Sequence, residues 1–201
     1  MSDASAAPED VRRRLAKLGM VPASDWSGRR AAIEGDLSPA AVLIPIFEKD
    51  GRLHVIFTRR AAGLTKHSGE VSFPGGRVEP VDESKLDTAL RETHEEIDLA
   101  PADVDVYGAL AEMPTITGYS LEAWAGEFPY PYELTPELAE IEVIFDVPLD
   151  VLADPSIHRV EMRSWGDETF PVHYYEYEGY TIWGVTGYLV WVLLDYLGLR
   201  D

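Results

Sequence analysis

The sequence predicts an α/β (α+β) protein, a mixed sheet with helices around it. Three observations carry this. Short apolar runs separated by turn signals read as strands. A charged segment in the middle has the apolar spacing of a helix, and a long apolar stretch closes the chain as another. The 201 residues suffice for one domain with a real core. We divide them into an N-terminal helix-and-loop extension, residues 1–35, and a single domain, residues 36–201.

In chain order, Pro8 to Met20 reads as a short helix with Val11, Leu15 and Leu18 on one side, and "PASDWSGRRAA" as a loop. "AAVLIPIF", Ala40 to Phe47, is a buried strand. Lys49 to Gly51 is a turn, and "RLHVIFTRR" returns as the second strand of a hairpin. "VSFP" is a short strand entering a Gly75-Gly76 turn. A helix follows from Ser84 to Ile97. "ADVDVYGALAEM" and "SLEAWAGEF" are further strands, and "PELAEIEVIFDVPLDVLAD" mixes a turn, a strand and a short helix. "VHYYEYEGYTIWG" is aromatic and strand-like, its tyrosines and Trp183 expected in core and rim. "TGYLVWVLLDYLGL" is the closing helix.

Composition narrows the function classes. No apolar run approaches the roughly 18 residues of a membrane span, so no membrane partner is expected. The N-terminus lacks an apolar signal core, and zero cysteines exclude disulfides and thiolate metal sites. A cytoplasmic protein is the expectation. The formal charge of −19 opposes a long nucleic acid. Fourteen of the 17 Lys and Arg lie at or before Arg91, and none falls between Glu92 and His158, an interval with 16 acidic residues. That split suits solubility, or an anion-binding first half beside a cation-binding second.

Successive helix residues turn by about 100°. Leu86, Ala89, Leu90, Thr93 and Ile97 then share one stripe facing the core, and Glu92, Glu95 and Glu96 share another arc. Ser84 and Asp87 suit a capping box. Carboxylates at i, i+3 and i+4 repel by a few tenths of a kcal/mol per pair. A hard cation such as Mg²⁺, held by carboxylates and phosphate oxygens, relieves that repulsion. A solvated acidic face has the same pattern. What sets this helix apart is the loop before it, where Gly75 and Gly76 allow close backbone approach.

The compound signal resembles the Nudix box, G-x5-E-x7-R-E-U-x-E-E-x-G-U, with U apolar. Gly76 matches the opening Gly, "RETHEE" (Arg91 to Glu96) the centre and Leu99 the end. Glu83 sits seven places after Gly76 rather than six, and Asp82 fills the regular spacing. Thr93 takes an apolar position, and Asp98 stands where the pattern has Gly. Upstream, Ile56 to Gly76 resembles the coenzyme A diphosphatase (CoA pyrophosphatase) motif of that superfamily, L-L-T-x-R-S/A-x3-R-x3-G-x3-F-P-G-G. Thr58, Arg60, Ala61, Gly69 and Phe73 to Gly76 match in register. Thr65 stands in place of an Arg, followed by Lys66. The resemblance covers roughly Ala40 to Leu194.

This resemblance implies an α/β/α sandwich and hydrolysis of a nucleoside diphosphate derivative with Mg²⁺ or Mn²⁺. It implies a metal cluster of Glu92, Glu95 and Glu96, with a carbonyl of Gly75, and Arg91 orienting the glutamates. Glu92 would also help deprotonate the water, and Glu140 is a downstream candidate base. Arg59, Arg60, Lys66 and Arg77 are the candidates to meet phosphates. The expected partner is a small nucleotide of the coenzyme A type, and a homodimer is possible. ADP-ribose or NADH is the alternative substrate class, and a non-catalytic nucleotide- or protein-binding module the alternative of another class.

Overall fold

Strand β1 (Ser38–Lys49) is the spine of the larger sheet, in a computed structural model that describes residues 7–21, 36–62, 69–166 and 168–200. The expected loop after the first helix lies outside the described residues. Leu43, Ile44 and Ile46 of β1 are fully buried, as a strand covered on both faces requires. β1 forms the expected hairpin with β2 (Arg52–Arg60), Ile46 opposite Val55. On its other side it runs parallel to β6 (Tyr119–Glu127), which pairs with β5 (Asp105–Pro114). β3 (Val71–Ser72) and β7 (Ile141–Pro148) pair with β2. With β4 (Gly75–Arg77), which pairs with β1, the result is a seven-stranded mixed sheet.

Two layers cover it. Helix α1 (Pro8–Leu15) and helix α4 (Gly184–Tyr196) cover one face, where Leu15, Ile44, Phe57, Leu189 and Leu193 share a core. Helix α2 (Lys85–Ile97) covers the other, where Ala41, Leu43, Ala89, Ile97 and Leu99 pack together. The alternation of Ala41 and Leu43 with Ile44 and Ile46 sends β1 side chains into both. This is the expected α/β/α arrangement. Helix α3 (Leu149–Leu152) follows β7.

α1 ends at Leu15 rather than Met20. Its apolar stripe is short, with Val11 and Leu15 buried, and Val21 instead donates its N–H to the Leu110 carbonyl. Arg12 bridges Glu48 at 2.8 Å and donates from Nε to Glu127 at 3.0 Å, while Tyr196 donates to the Arg14 carbonyl at 3.1 Å.

A second sheet of β8 (His158–Trp165), β9 (Glu168–Tyr177) and β10 (Tyr180–Trp183) lies beyond α3. β8 was not legible, because "HRVEMRSW" mixes charge with apolar residues. Tyr174 and Tyr175 are buried while Trp183 is exposed, the expected core and rim. Among the described residues, no helix is long and apolar enough to cross a membrane.

Candidate active site

Helix α2 starts where the sequence predicts. Ser84 Oγ accepts from the Asp87 N–H at 3.2 Å and donates to the Asp87 carboxylate at 3.0 Å. This is a variant of the capping box, closed by the hydroxyl rather than by the Ser84 N–H. The helix ends on Asp98, whose backbone is left-handed (φ 59°) with its N–H on the His94 carbonyl. Asp tolerates that conformation better than most non-glycine residues, so it serves where the family pattern has Gly.

The expected Gly-Gly turn is instead a three-residue strand, β4 (Gly75–Arg77), paired with Ala40 to Val42. Steric need explains both glycines. Gly75 has φ +152°, and a Cβ there would lie 2.3 Å from the Ala41 carbonyl oxygen. A Cβ on Gly76 would lie 2.4 Å from the Glu92 carboxylate. The two glycines thus let β4 press against β1 on one side and let a helix carboxylate lie on the backbone on the other.

The three glutamates have different surroundings. Glu95 is exposed, its side chain 57% accessible, and accepts from Arg91 at 3.1 Å. Glu92 is mostly covered and also accepts from Arg91 at 3.1 Å. Glu96, expected on an arc apart from the core stripe, is buried. It accepts from the Gly75 N–H at 3.3 Å and faces an Arg60 nitrogen at 3.5 Å. Burial pushes the Glu96 carboxyl up to about 8. Arg60 and the Gly75 N–H oppose that rise, and Glu92 and Glu140 add to it. Burial raises Glu92 as well.

Arg91 is the hub. Its Nε donates to Asp82 Oδ1 at 2.8 Å and a terminal nitrogen to Oδ2 at 2.9 Å. It also reaches the Arg77 carbonyl at 3.2 Å. Asp82 further accepts from Thr88 Oγ1 and the Glu79 N–H, both at 2.8 Å. Its side chain is 2% exposed, and the Arg91 hydrogen bonds hold it well below the usual carboxylate range. Sequence reading placed Asp82 at the regular six-residue spacing without giving it a role, and it missed Thr88. The spacing was the available signal.

Glu140 arrives on the loop after β6. That loop is pinned to the end of α2, since Thr135 N–H donates to the Ile97 carbonyl at 3.0 Å and Glu137 N–H to the Glu96 carbonyl at 2.9 Å. A terminal nitrogen of Arg60 lies 3.8 Å from Glu140, so Arg60 spans Glu140 and Glu96. The other expected phosphate ligands are not gathered there. Arg59 turns to Glu142 at 2.8 Å and lies over the Tyr180 ring. Arg77 donates to the Tyr119 hydroxyl at 2.7 Å. Lys66 lies outside the described residues.

Among the described residues, no three acidic or imidazole groups converge as a ready-formed ion site. Arg91 draws Glu95 aside and Arg60 covers Glu96. The donor chemistry nonetheless fits a hard divalent cation: every expected donor is an oxygen, and the carboxylates of Glu92 and Glu96 are desolvated beside one another. Arg60 balances the charge of Glu96 and Glu140 through contacts of 3.5 and 3.8 Å, long enough to exchange for stronger ones.

The family profile of the NUDIX domain matches residues 37–165. Nudix hydrolase 15, mitochondrial, of Arabidopsis thaliana is 39% identical over 160 residues, 73% of this chain and 54% of that protein. The Nudix hydrolase NudL of Photorhabdus laumondii is 38% identical over 152 residues, 75% of this chain and 80% of that protein. The chain thus spans about half the length of the plant relative and four fifths of the bacterial one. The crystal structure of a Nudix hydrolase from M. smegmatis, RenU, aligns with a TM-score of 0.50 and 21% identity over 60% of this chain and 76% of that one. That likeness concerns the fold. With the profile covering most of the sheet and α2, and a bacterial relative matched along most of its length, this chain belongs to the Nudix hydrolase family.

Proposed function

We propose that the protein is a metal-dependent diphosphatase that hydrolyses coenzyme A or an acyl-coenzyme A to 3′,5′-ADP and the 4′-phosphopantetheine product. The observation that carries this reading is the grouping of Arg60, Glu92 and Glu140 about the buried Glu96, set beside the residues that resemble the coenzyme A motif. We assign the chemistry to residues 36–201, with residues 1–35 as an extension, and place it in the cytoplasm.

Glu92, Glu95 and Glu96, with the Gly75 carbonyl, would hold Mg²⁺ or Mn²⁺. Such an ion neutralises a diphosphate and acidifies a bound water. The chain supplies the rest. Arg91, fixed by Asp82, holds Glu92 and Glu95 in place. Arg60 exchanges its two carboxylate contacts for phosphate oxygens when a diphosphate enters, a stronger charge-assisted pairing. Glu140, its side chain half exposed, accepts the proton of the attacking water, and Glu92 is its alternative. Arg59, Lys66 and Arg77 are the candidates for outer phosphates.

The test is chromatography of products from coenzyme A, acetyl-coenzyme A, ADP-ribose and NADH, each with Mg²⁺, Mn²⁺ or a chelator. Release of 3′,5′-ADP from coenzyme A, lost with chelator, is the expected result. Turnover of ADP-ribose or NADH alone would reject the substrate and keep the enzyme class, an alternative that Thr65 keeps open by replacing the motif's Arg. Turnover of nothing in the panel would favour a binding module.

A further inference from the structure

The edges of the two sheets are treated unequally. β3 has two residues and β10 four. β5 breaks register twice against β6, and Val21 covers it at the Leu110 carbonyl. β7 breaks register against β2, and its Phe145 ring is stacked on Tyr180 at 4.0 Å. β8 has none of these protections. It pairs with β9 through eight consecutive residues without a break, and it contains no Pro or Gly. Among the described residues, its other edge has no strand beside it. Long regular edges of this kind are templates for another strand.

Its two faces match a particular partner. On one face Val160 and Met162 are exposed, at 48% and 64%. On the other lies the row Arg159, Glu161, Arg163, in which Glu161 accepts from Arg163 at 2.8 and 3.1 Å. A second β8 related by a two-fold axis normal to the sheet must pair antiparallel, with same-face residues opposite one another. An axis at Glu161 sets Glu161 against itself and Arg159 against Arg163, which repel. An axis at Val160 removes the repulsion but overlaps only the N-terminal part of the strand. An axis at Met162 sets each Glu161 opposite the second copy's Arg163 and Met162 against its own copy. It pairs nearly the whole strand and covers Met162, the more exposed of the strand's two exposed apolar side chains.

We propose that β8 is a self-association edge, through which two copies of this chain pair about Met162 into one continuous six-stranded sheet. The inference is independent of the proposed reaction, because β8 contributes nothing to the carboxylate cluster.

The experiment is sedimentation velocity with light scattering on the full chain, from about 1 to 100 µM. The expected mass is twice 22.4 kDa at the upper end, falling towards 22.4 kDa on dilution. Met162→Lys and Glu161→Arg should each weaken association at least about tenfold, with unchanged circular dichroism and melting. The double variant Glu161→Arg with Arg163→Glu again sets opposite charges at positions 161 and 163 across the Met162 axis, whereas a Val160 axis would then oppose two cations, and it should recover the dimer. A wild-type chain that stays at 22.4 kDa throughout, or a dimer indifferent to Met162→Lys, overturns the proposal. Failure of the double variant to recover overturns the Met162 register.

Discussion

Arg91 and Asp82 meet fork to fork, two parallel hydrogen bonds of 2.8 and 2.9 Å joining guanidinium and carboxylate. The acid comes from the loop and the base from the helix, so the pair fixes the loop to α2 while Arg91 faces Glu92 and Glu95. Replacing Asp82 by Ala leaves a half-buried guanidinium beside a lost partner. We expect a stability loss of about 3 kcal/mol and a fall in kcat beyond what unfolding explains. Because Asp82 titrates lower in the folded chain than when unfolded, its stabilisation is complete at neutral pH. It is lost as pH drops below the ordinary carboxylate range. Urea melts from pH 3 to 7 should show that slope in the native chain and a flatter one in Asp82→Asn.

Gly75 and Gly76 separate stability from function. Gly76→Ala places a methyl at the flexible end of Glu92, which moves aside. Melting should change by less than about 1 kcal/mol, while activity falls by about tenfold or more. Gly75→Ala meets backbone at 2.3 and 2.6 Å with φ +152°, where nothing moves cheaply. It should cost about 2–4 kcal/mol. Paired melting curves and initial rates distinguish the two.

Glu96 makes the metal-free protein sensitive to alkali. Its folded value of about 8 lies above the ordinary 4.5, so folding favours the protonated acid. With chelator present, stability should fall as pH rises from about 5 to 8, by on the order of 2–4 kcal/mol. Glu96→Gln should remove that decline and lower turnover by orders of magnitude. Calorimetry across that range, with and without Mg²⁺, checks both, the metal restoring stability in the native chain alone.

Arg12 ties the N-terminal helix to the sheet through Glu48 and Glu127. Tyr107 also donates to Glu127, so removing Arg12 leaves Glu127 with one partner. Arg12→Ala should cost about 1–3 kcal/mol without altering KM, as measured by denaturant melts and steady-state kinetics.

The order of strands and helices was largely legible, because the apolar runs in β1, β2 and β6 and the capped stripe of α2 are local signals. Helix α2 was readable from Ser84 to Ile97 for the same reason. β8 was not, because its charges answer to cross-strand partners rather than to a core. The burial of Glu96 also escaped the sequence. A helical wheel places it off the apolar stripe, and only β4 and Arg60, packed from elsewhere, cover it. Arg59 and Arg60 look equivalent as neighbours in the sequence, yet β2 sends them to different partners.

The two backbone bonds from Thr135 and Glu137 to the last turn of α2 divide the loop before Glu140 into two regimes. Between Phe128 and Thr135 the chain is held by side chains instead, Tyr130 stacked on Phe47 and Tyr132 bonded to Asp103 and to the Ala100 N–H. From Thr135 to Ile141 the chain is gauged against the helix, and one residue more or less would carry Glu140 past Arg60. Divergence among close relatives should therefore appear, from Thr135 to Ile141, as substitution without length change.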